Sequence, residues 1–109
     1  MIIARTYLNA LQEKQKEVLQ TLLSMVEPPG NGNGMITYCV YADIEDPKVF
    51  NLISSWETRD HLDRYLNSDR FSALLGINSL LRHPIEIEIL TILSVEGMEA
   101  VKVARNKDP

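Results

Sequence analysis

Trp56-Glu57-Thr58-Arg59-Asp60-His61-Leu62-Asp63-Arg64-Tyr65-Leu66-Asn67-Ser68-Asp69-Arg70-Phe71-Ser72-Ala73-Leu74-Leu75 is the most information-dense run of this 109-residue chain. The apolar segment Val49–Trp56 leads into it and ends at the one tryptophan. Thr58 is a helix N-cap residue type, and Leu62, Tyr65 and Leu66 then fall at i, i+3 and i+4, which is one face of a helix. Ser68 offers a second cap, after which Phe71, Leu74 and Leu75 repeat the spacing. The run therefore predicts a strand followed by two short helices, with Trp56 at the strand's end beneath the helical face that carries Tyr65. Such a junction can wall a pocket.

Outward from this run, the flanking segments supply the remaining elements. Ile2–Leu8 is rich in β-formers and predicts a first strand. From Asn9, read as a cap with Gln12 at the capping-box position, Leu11, Gln15, Val18, Leu22 and Met25 form one helical stripe, widened by Leu19, Leu23 and Val26. Two prolines and three glycines between Pro28 and Gly34 end that helix in a connecting loop. The loop lacks the Lys-Ser/Thr ending of a phosphate-binding loop and does not open a helix. Met35–Ala42 reads as a strand with Ile36, Tyr38 and Val40 on one face and Met35, Thr37, Cys39 and Tyr41 on the other. Asp43–Lys48 is a turn whose acidic residues lack the glycine and distal glutamate of a calcium loop, so Val49–Trp56 is read as a hairpin partner. Pro84 disfavours helix at His83. Ile85-Glu86-Ile87-Glu88-Ile89 alternates as a strand with one wet face, and Leu90, Ile92 and Leu93 then put apolar groups on both faces. Val95–Arg105 predicts a short helix with Met98, Val101 and the stem of Lys102 facing inward, and Asn106–Pro109 a frayed tail.

The resulting order, strand-helix-strand-strand-helices-strand, is the βαββαβ plan of an α+β, ferredoxin-like fold: a four-stranded antiparallel sheet with its helices on one face. Residues 1–95 are read as this domain and 96–109 as its helical appendage and tail. Apolar residues on both faces of the second and last strands imply that the sheet's bare face is covered, and the simplest closed solution is a twofold homodimer with two sheets facing each other.

Composition narrows the function classes. With 45% hydrophobic and 24% charged residues the chain is of ordinary globular type. A net charge of −4 without a Lys/Arg cluster argues against nucleic acid as a partner. No apolar run approaches the length needed to span a bilayer, and Met1–Thr6 lacks a signal-peptide layout, so a membrane partner is not expected. Cys39, the single cysteine, is read as a small buried hydrophobe in a reducing, cytoplasmic setting. His61 and His83 lie far apart and give no zinc spacing, and no dinucleotide fingerprint is present. No cofactor or metal is therefore expected.

At these spacings Val49-Phe50-Asn51-Leu52-Ile53-Ser54-Ser55-Trp56-Glu57-Thr58, with Leu62, Leu66, Ser68 and Phe71 following, resembles the signature of the antibiotic biosynthesis monooxygenase family. That signature is an apolar strand ending in Trp-Glu-Ser/Thr, then Leu-x-x-His-Leu-x-Ser-x-x-Phe. Tyr38, Tyr41, Asp43 and Glu45-Asp46-Pro47 also resemble the family's hairpin, so the likeness runs from Met35 to Leu93. The resemblance implies a dimeric α+β barrel. It also implies one of several activities: cofactor-free oxygenation of quinols or anthrones, heme degradation, or none known.

By the same resemblance the cavity tryptophan of the anthrone oxygenases falls on Trp56, while Leu52 and Leu62 stand where those enzymes have asparagine and tyrosine. For heme-degrading members the first-strand asparagine falls near Thr6, the helical tryptophan on Tyr65 and the iron-ligating histidine on Leu75, which cannot ligate iron. Where quinol-type relatives have histidine, this chain has Tyr65. The candidate catalytic residues are thus Trp56 and Tyr65, with His61 as a base lying off the Leu62/Tyr65/Leu66 face. Thr6, Leu52, Leu62, Phe71 and Leu75 are the candidate substrate-binding residues. The expected activity is cofactor-independent monooxygenation of a small aromatic or quinol-type compound, which needs a base to make an electron-rich anion and an aromatic wall in a dry pocket. A non-catalytic dimeric module binding a small apolar ligand is the second reading, and heme binding the third.

Overall fold

A computed structural model describes residues 1–26 and 32–107. The Pro28–Asn31 part of the expected glycine-rich loop and the last two residues of the expected tail lie outside them. The element order is β1 (Ile2–Asn9), a 3-10 turn, α1 (Gln15–Ser24), β2 (Met35–Ala42), β3 (Val49–Trp56), α2 (Arg59–Leu66), α3 (Asp69–Leu75), a second 3-10 turn (Gly76–Leu80), β4 (Glu86–Thr91) and α4 (Met98–Arg105). One antiparallel sheet has the order β2-β3-β1-β4. This is the expected α+β, ferredoxin-like plan.

The sheet's two faces follow from register, because residues directly opposite in antiparallel strands share a face. Ile2, Ala4, Thr6 and Leu8 stand opposite Trp56, Ser54, Leu52 and Phe50, and all eight are buried beneath the helices. From above, α1 contributes Val18 and Leu22, α2 Leu62 and Tyr65, and α3 Phe71 and Leu74. Each fully buried leucine here stabilises the fold by about 1.5–3 kcal/mol through the apolar area it removes from water. The helical breaks are set by caps. Thr58 Oγ1 accepts from the His61 amide to open α2, and Ser68 Oγ accepts from the Phe71 amide to open α3. Between them the Ser68 hydroxyl also donates to the Tyr65 carbonyl at 2.6 Å, pinning the end of α2 to the start of α3. At the β2–β3 turn the acidic residues cap backbone amides: Asp43 accepts from Asp46 N, and Asp46 from Lys48 N, which holds the Asp46 carboxyl below its usual range.

Several expectations are corrected. Asn9 ends β1 rather than capping α1, whose start has no side-chain cap; its Oδ1 is buried without a hydrogen-bond partner among the described residues. In β2 the register shifts between Met35 and Thr37, which leaves Ile36 as an extra, exposed residue. This bulge returns Met35 to the buried face with Tyr38, so the strict alternation read from the sequence fails at its first residue. Cys39 is exposed, because it stands opposite Ile53 on the face away from the helices. That open face is mixed rather than apolar: Glu86 and Glu88 project there, and Arg5 pairs with Glu88 at 2.9 Å. Leu23 and Val26 lie on the outer side of α1, and Met98 and Val101 are exposed on α4, which buries no residue. The inward stripe expected for α4 is not buried among the described residues. No helix among the described residues is long and apolar enough to cross a membrane.

Candidate functional site

The end of β3, the start of α2 and the segment before β2 meet around Trp56. Its indole is 1% exposed and donates from Nε1 to Ser54 Oγ at 2.9 Å. Tyr65, two turns into the helical pair, stacks on it with ring centroids 4.9 Å apart and planes 29° from parallel. Phe71 meets the far side of Tyr65 edge-on at 5.4 Å. An offset stack with an edge contact is the favourable packing for aromatic quadrupoles, worth about 0.5–1.5 kcal/mol per pair beyond area burial.

The Tyr65 hydroxyl shares a 2.9 Å hydrogen bond with Tyr38 Oη, a contact from β2. Burial first, and this hydrogen bond second, push the Tyr65 phenol far above the ordinary tyrosine range, with Arg70 opposing weakly. Tyr65 is therefore a neutral phenol at physiological pH and is not a base there. Arg70 lies over the Tyr38 ring, its guanidinium carbon 4.3 Å from the centroid, and donates to the Met25 carbonyl at the end of α1. A cation held over an aromatic face is attracted by the ring quadrupole.

Beside this cluster, a hollow of about 300 Å³ is bounded by Trp56 and Tyr65, with His61, Arg64, Ser68 and Arg70 around it and Asn33 at its edge. That volume suits a ligand of one or two rings. His61 is fixed from two sides. Its Nδ1 shares a 2.7 Å hydrogen bond with Thr58 Oγ1, the residue that caps α2. Its side chain also rests on Gly34, whose φ of +77° and missing side chain make room for it. The Gly34 carbonyl accepts from Glu57 N at 2.9 Å, which ties the segment to the end of β3.

Of the residues singled out from the sequence, Trp56, Tyr65 and His61 come together at this hollow, and Phe71 backs it through Tyr65. His61 lines the hollow with its ring bonded to Thr58 and set against Gly34. Leu62 is fully buried under α2, and Leu52 and Thr6 are buried opposite each other in the sheet; none of the three is among the residues lining the hollow. Leu75 is 44% exposed at the end of α3, apart from it. Arg64, Ser68, Arg70, Asn33 and Tyr38 were not singled out as site residues. Arg64 has a legible signal, since it adjoins Tyr65 on the same helix. The approach of Arg70 to Tyr38 and Met25 joins three separate elements and has no local signature.

The arrangement defines a class: a ferredoxin-like sheet with an aromatic-walled hollow between sheet and helices. A solved antibiotic biosynthesis monooxygenase has the same fold, with a TM-score of 0.75 at 21% identity over 86% of this chain and all of that one. A Mycobacterium tuberculosis protein superimposes at 0.77, with 16% identity over 88% of this chain and 98% of its own. A conserved Methanosarcina mazei protein does so at 0.73, with 26% identity over 82% and 89%. No curated protein matches by sequence. The model of the antibiotic biosynthesis monooxygenase family matches residues 1–75, from β1 through α3, and the chain belongs to that family.

Proposed function

We propose that this protein is a cofactor-independent monooxygenase of small hydroxylated aromatic compounds. The observation that carries the reading is the Trp56–Tyr65 stack opening onto a hollow with His61 at its side. A planar phenol would lie against the aromatic wall, and His61, held by Thr58, would take its hydroxyl proton. The resulting phenolate is electron-rich enough to pass one electron to O₂. Recombination at the para carbon forms a C–O bond, and loss of water then breaks the O–O bond. A phenol and O₂ so become a p-quinone and water, one oxygen atom entering each product. Tyr65, neutral and hydrogen-bonded to Tyr38, acts as wall and positioning group rather than as base.

A second reading has its own support. The Trp56 indole N–H is spent on Ser54 Oγ, and the Tyr65 hydroxyl is engaged with that of Tyr38, one of the two donating to the other. This favours a non-catalytic module that binds the same ligands. Oxygen uptake across a panel of phenols and hydroquinones separates the two: turnover that falls at least tenfold in His61→Ala supports oxygenation. Binding without oxygen consumption leaves only the module.

The same proposal places the chain in the cytoplasm as a homodimer joined through the open sheet face, where Ile3, Ile53 and Leu90 are neighbours and Tyr7 and Tyr41 are exposed. Light scattering should return twice the chain mass at micromolar concentration, and Ile53→Lys should halve it. A monomeric wild type would sink the dimer.

A further inference from the structure

Charge around the hollow runs against the charge of the chain. The protein has 15 acidic and 11 basic residues, yet the described lining holds Arg64 and Arg70 and no carboxylate. Arg64 is the telling member. On α2, Arg59 pairs with Asp63 one turn on, at 2.8 Å. Arg64 has Asp60 one turn before it on the same helix, and the two make no ion pair; the Arg64 side chain has no ion-pair or hydrogen-bond partner among the described residues. Arg64 is exposed and lines the hollow together with Tyr65, its neighbour on α2. A neutral phenol needs the aromatic wall and a base, and gains little from this rim.

We infer that the hollow takes hydroxylated aromatic acids, with the ligand's carboxylate bound by Arg64. The inference rests on the aromatic-ligand reading above and names the ligand class of that site. The ring lies against Trp56 and Tyr65, and the carboxylate sits at the mouth. A guanidinium presents two parallel N–H donors that match the two oxygens of a carboxylate, a geometry lysine lacks. The contact is partly solvated, so salt weakens it.

The test is isothermal titration calorimetry under anaerobic conditions, so that binding is read without turnover. The probes are 3-hydroxy-2-naphthoate and its neutral amide, 3-hydroxy-2-naphthamide, which share ring and hydroxyl. The acid is expected to bind at least tenfold more tightly, about 1.4 kcal/mol. Arg64→Gln should erase that margin while leaving the amide's affinity unchanged, and Arg64→Lys should restore only part of it. Raising salt from 50 to 500 mM should weaken the acid alone. Equal binding of acid and amide, an equal loss of both in Arg64→Gln, or binding of neither would overturn the inference. Tight binding of the acid without any oxygen uptake would instead defeat the oxygenase reading and leave this one standing.

Discussion

Gly34→Ala is expected to damage the site out of proportion to one methyl group, and Gly32 provides the control. Both glycines have positive φ, +77° and +82°. An alanine at either position carries a left-handed backbone penalty of about 1–2 kcal/mol. At Gly32 an added Cβ meets nothing within 4 Å, whereas at Gly34 it would lie 2.7 Å from His61 Cβ and closer still to the imidazole ring. His61 must then leave, and its 2.7 Å bond with Thr58 goes with it, a further loss of about 0.5–1.5 kcal/mol. Gly34→Ala should therefore cost about 2–3 kcal/mol and Gly32→Ala about 1–2 kcal/mol. At about 4 °C or more per kcal/mol, thermal unfolding followed by circular dichroism should fall by roughly 10 °C in the first. The second should fall by roughly half as much. In a His61→Ala background, where only the Cβ contact survives, the gap between the two glycine variants should shrink. Equal melting temperatures for the two single variants would refute the claim that Gly34 exists to seat His61.

Three further outcomes follow from the buried aromatic cluster. The Tyr65 phenol is raised in the fold, so folded and unfolded chains hold the same proton below about pH 10, and only the unfolded chain loses it above. Stability should thus be unaffected by this group up to about pH 10 and then fall by up to about 1.4 kcal/mol per pH unit. Urea titrations from pH 8 to 11 should show that slope reduced in Tyr65→Phe, and an unchanged slope would count against the burial argument. Tyr38→Phe removes the hydroxyl partner of the buried Tyr65 phenol and should cost about 0.5–1.5 kcal/mol by chemical denaturation; an unchanged stability would mean the 2.9 Å bond contributes nothing. Ser54→Ala strands the buried indole N–H of Trp56 and should cost about 1–3 kcal/mol by chemical denaturation, whereas a change under about 0.5 kcal/mol would deny that bond.

Much of the architecture was legible from local rules, although the capping box read at Asn9 failed because that residue ends β1. Val49–Trp56 and Met35–Ala42 emerge with the boundaries read from their apolar runs, and Thr58 and Ser68 cap the two helices as their residue types predict. What could not be read depends on contacts distant in sequence. The bulge at Ile36 exists because Met35 pairs with Trp56 while Thr37 pairs with Ser55, and no pattern within β2 states that. Met98 and Val101 stay exposed because α4 buries no residue among the described residues, whereas an amphipathic spacing only says that a helix has a face to bury. At the site, Trp56 and Tyr65 were visible as aromatic residues at a strand–helix junction. Tyr38, Arg70 and Gly34 were not, since each enters from a different part of the chain.

The bulge at Ile36 also sets where this protein can change length. Because side chains alternate along a strand, losing one residue between Thr37 and Ala42 would turn the remainder of β2 over and drive Tyr38 or Val40 out of the core. Losing Ile36 would do the opposite: Met35 would precede Thr37 directly, in the alternation an ordinary ladder requires, with Trp56 and Ser55 still their partners. A single-residue deletion, ordinarily ruinous in a strand with one buried face, has one place here where the sheet can absorb it.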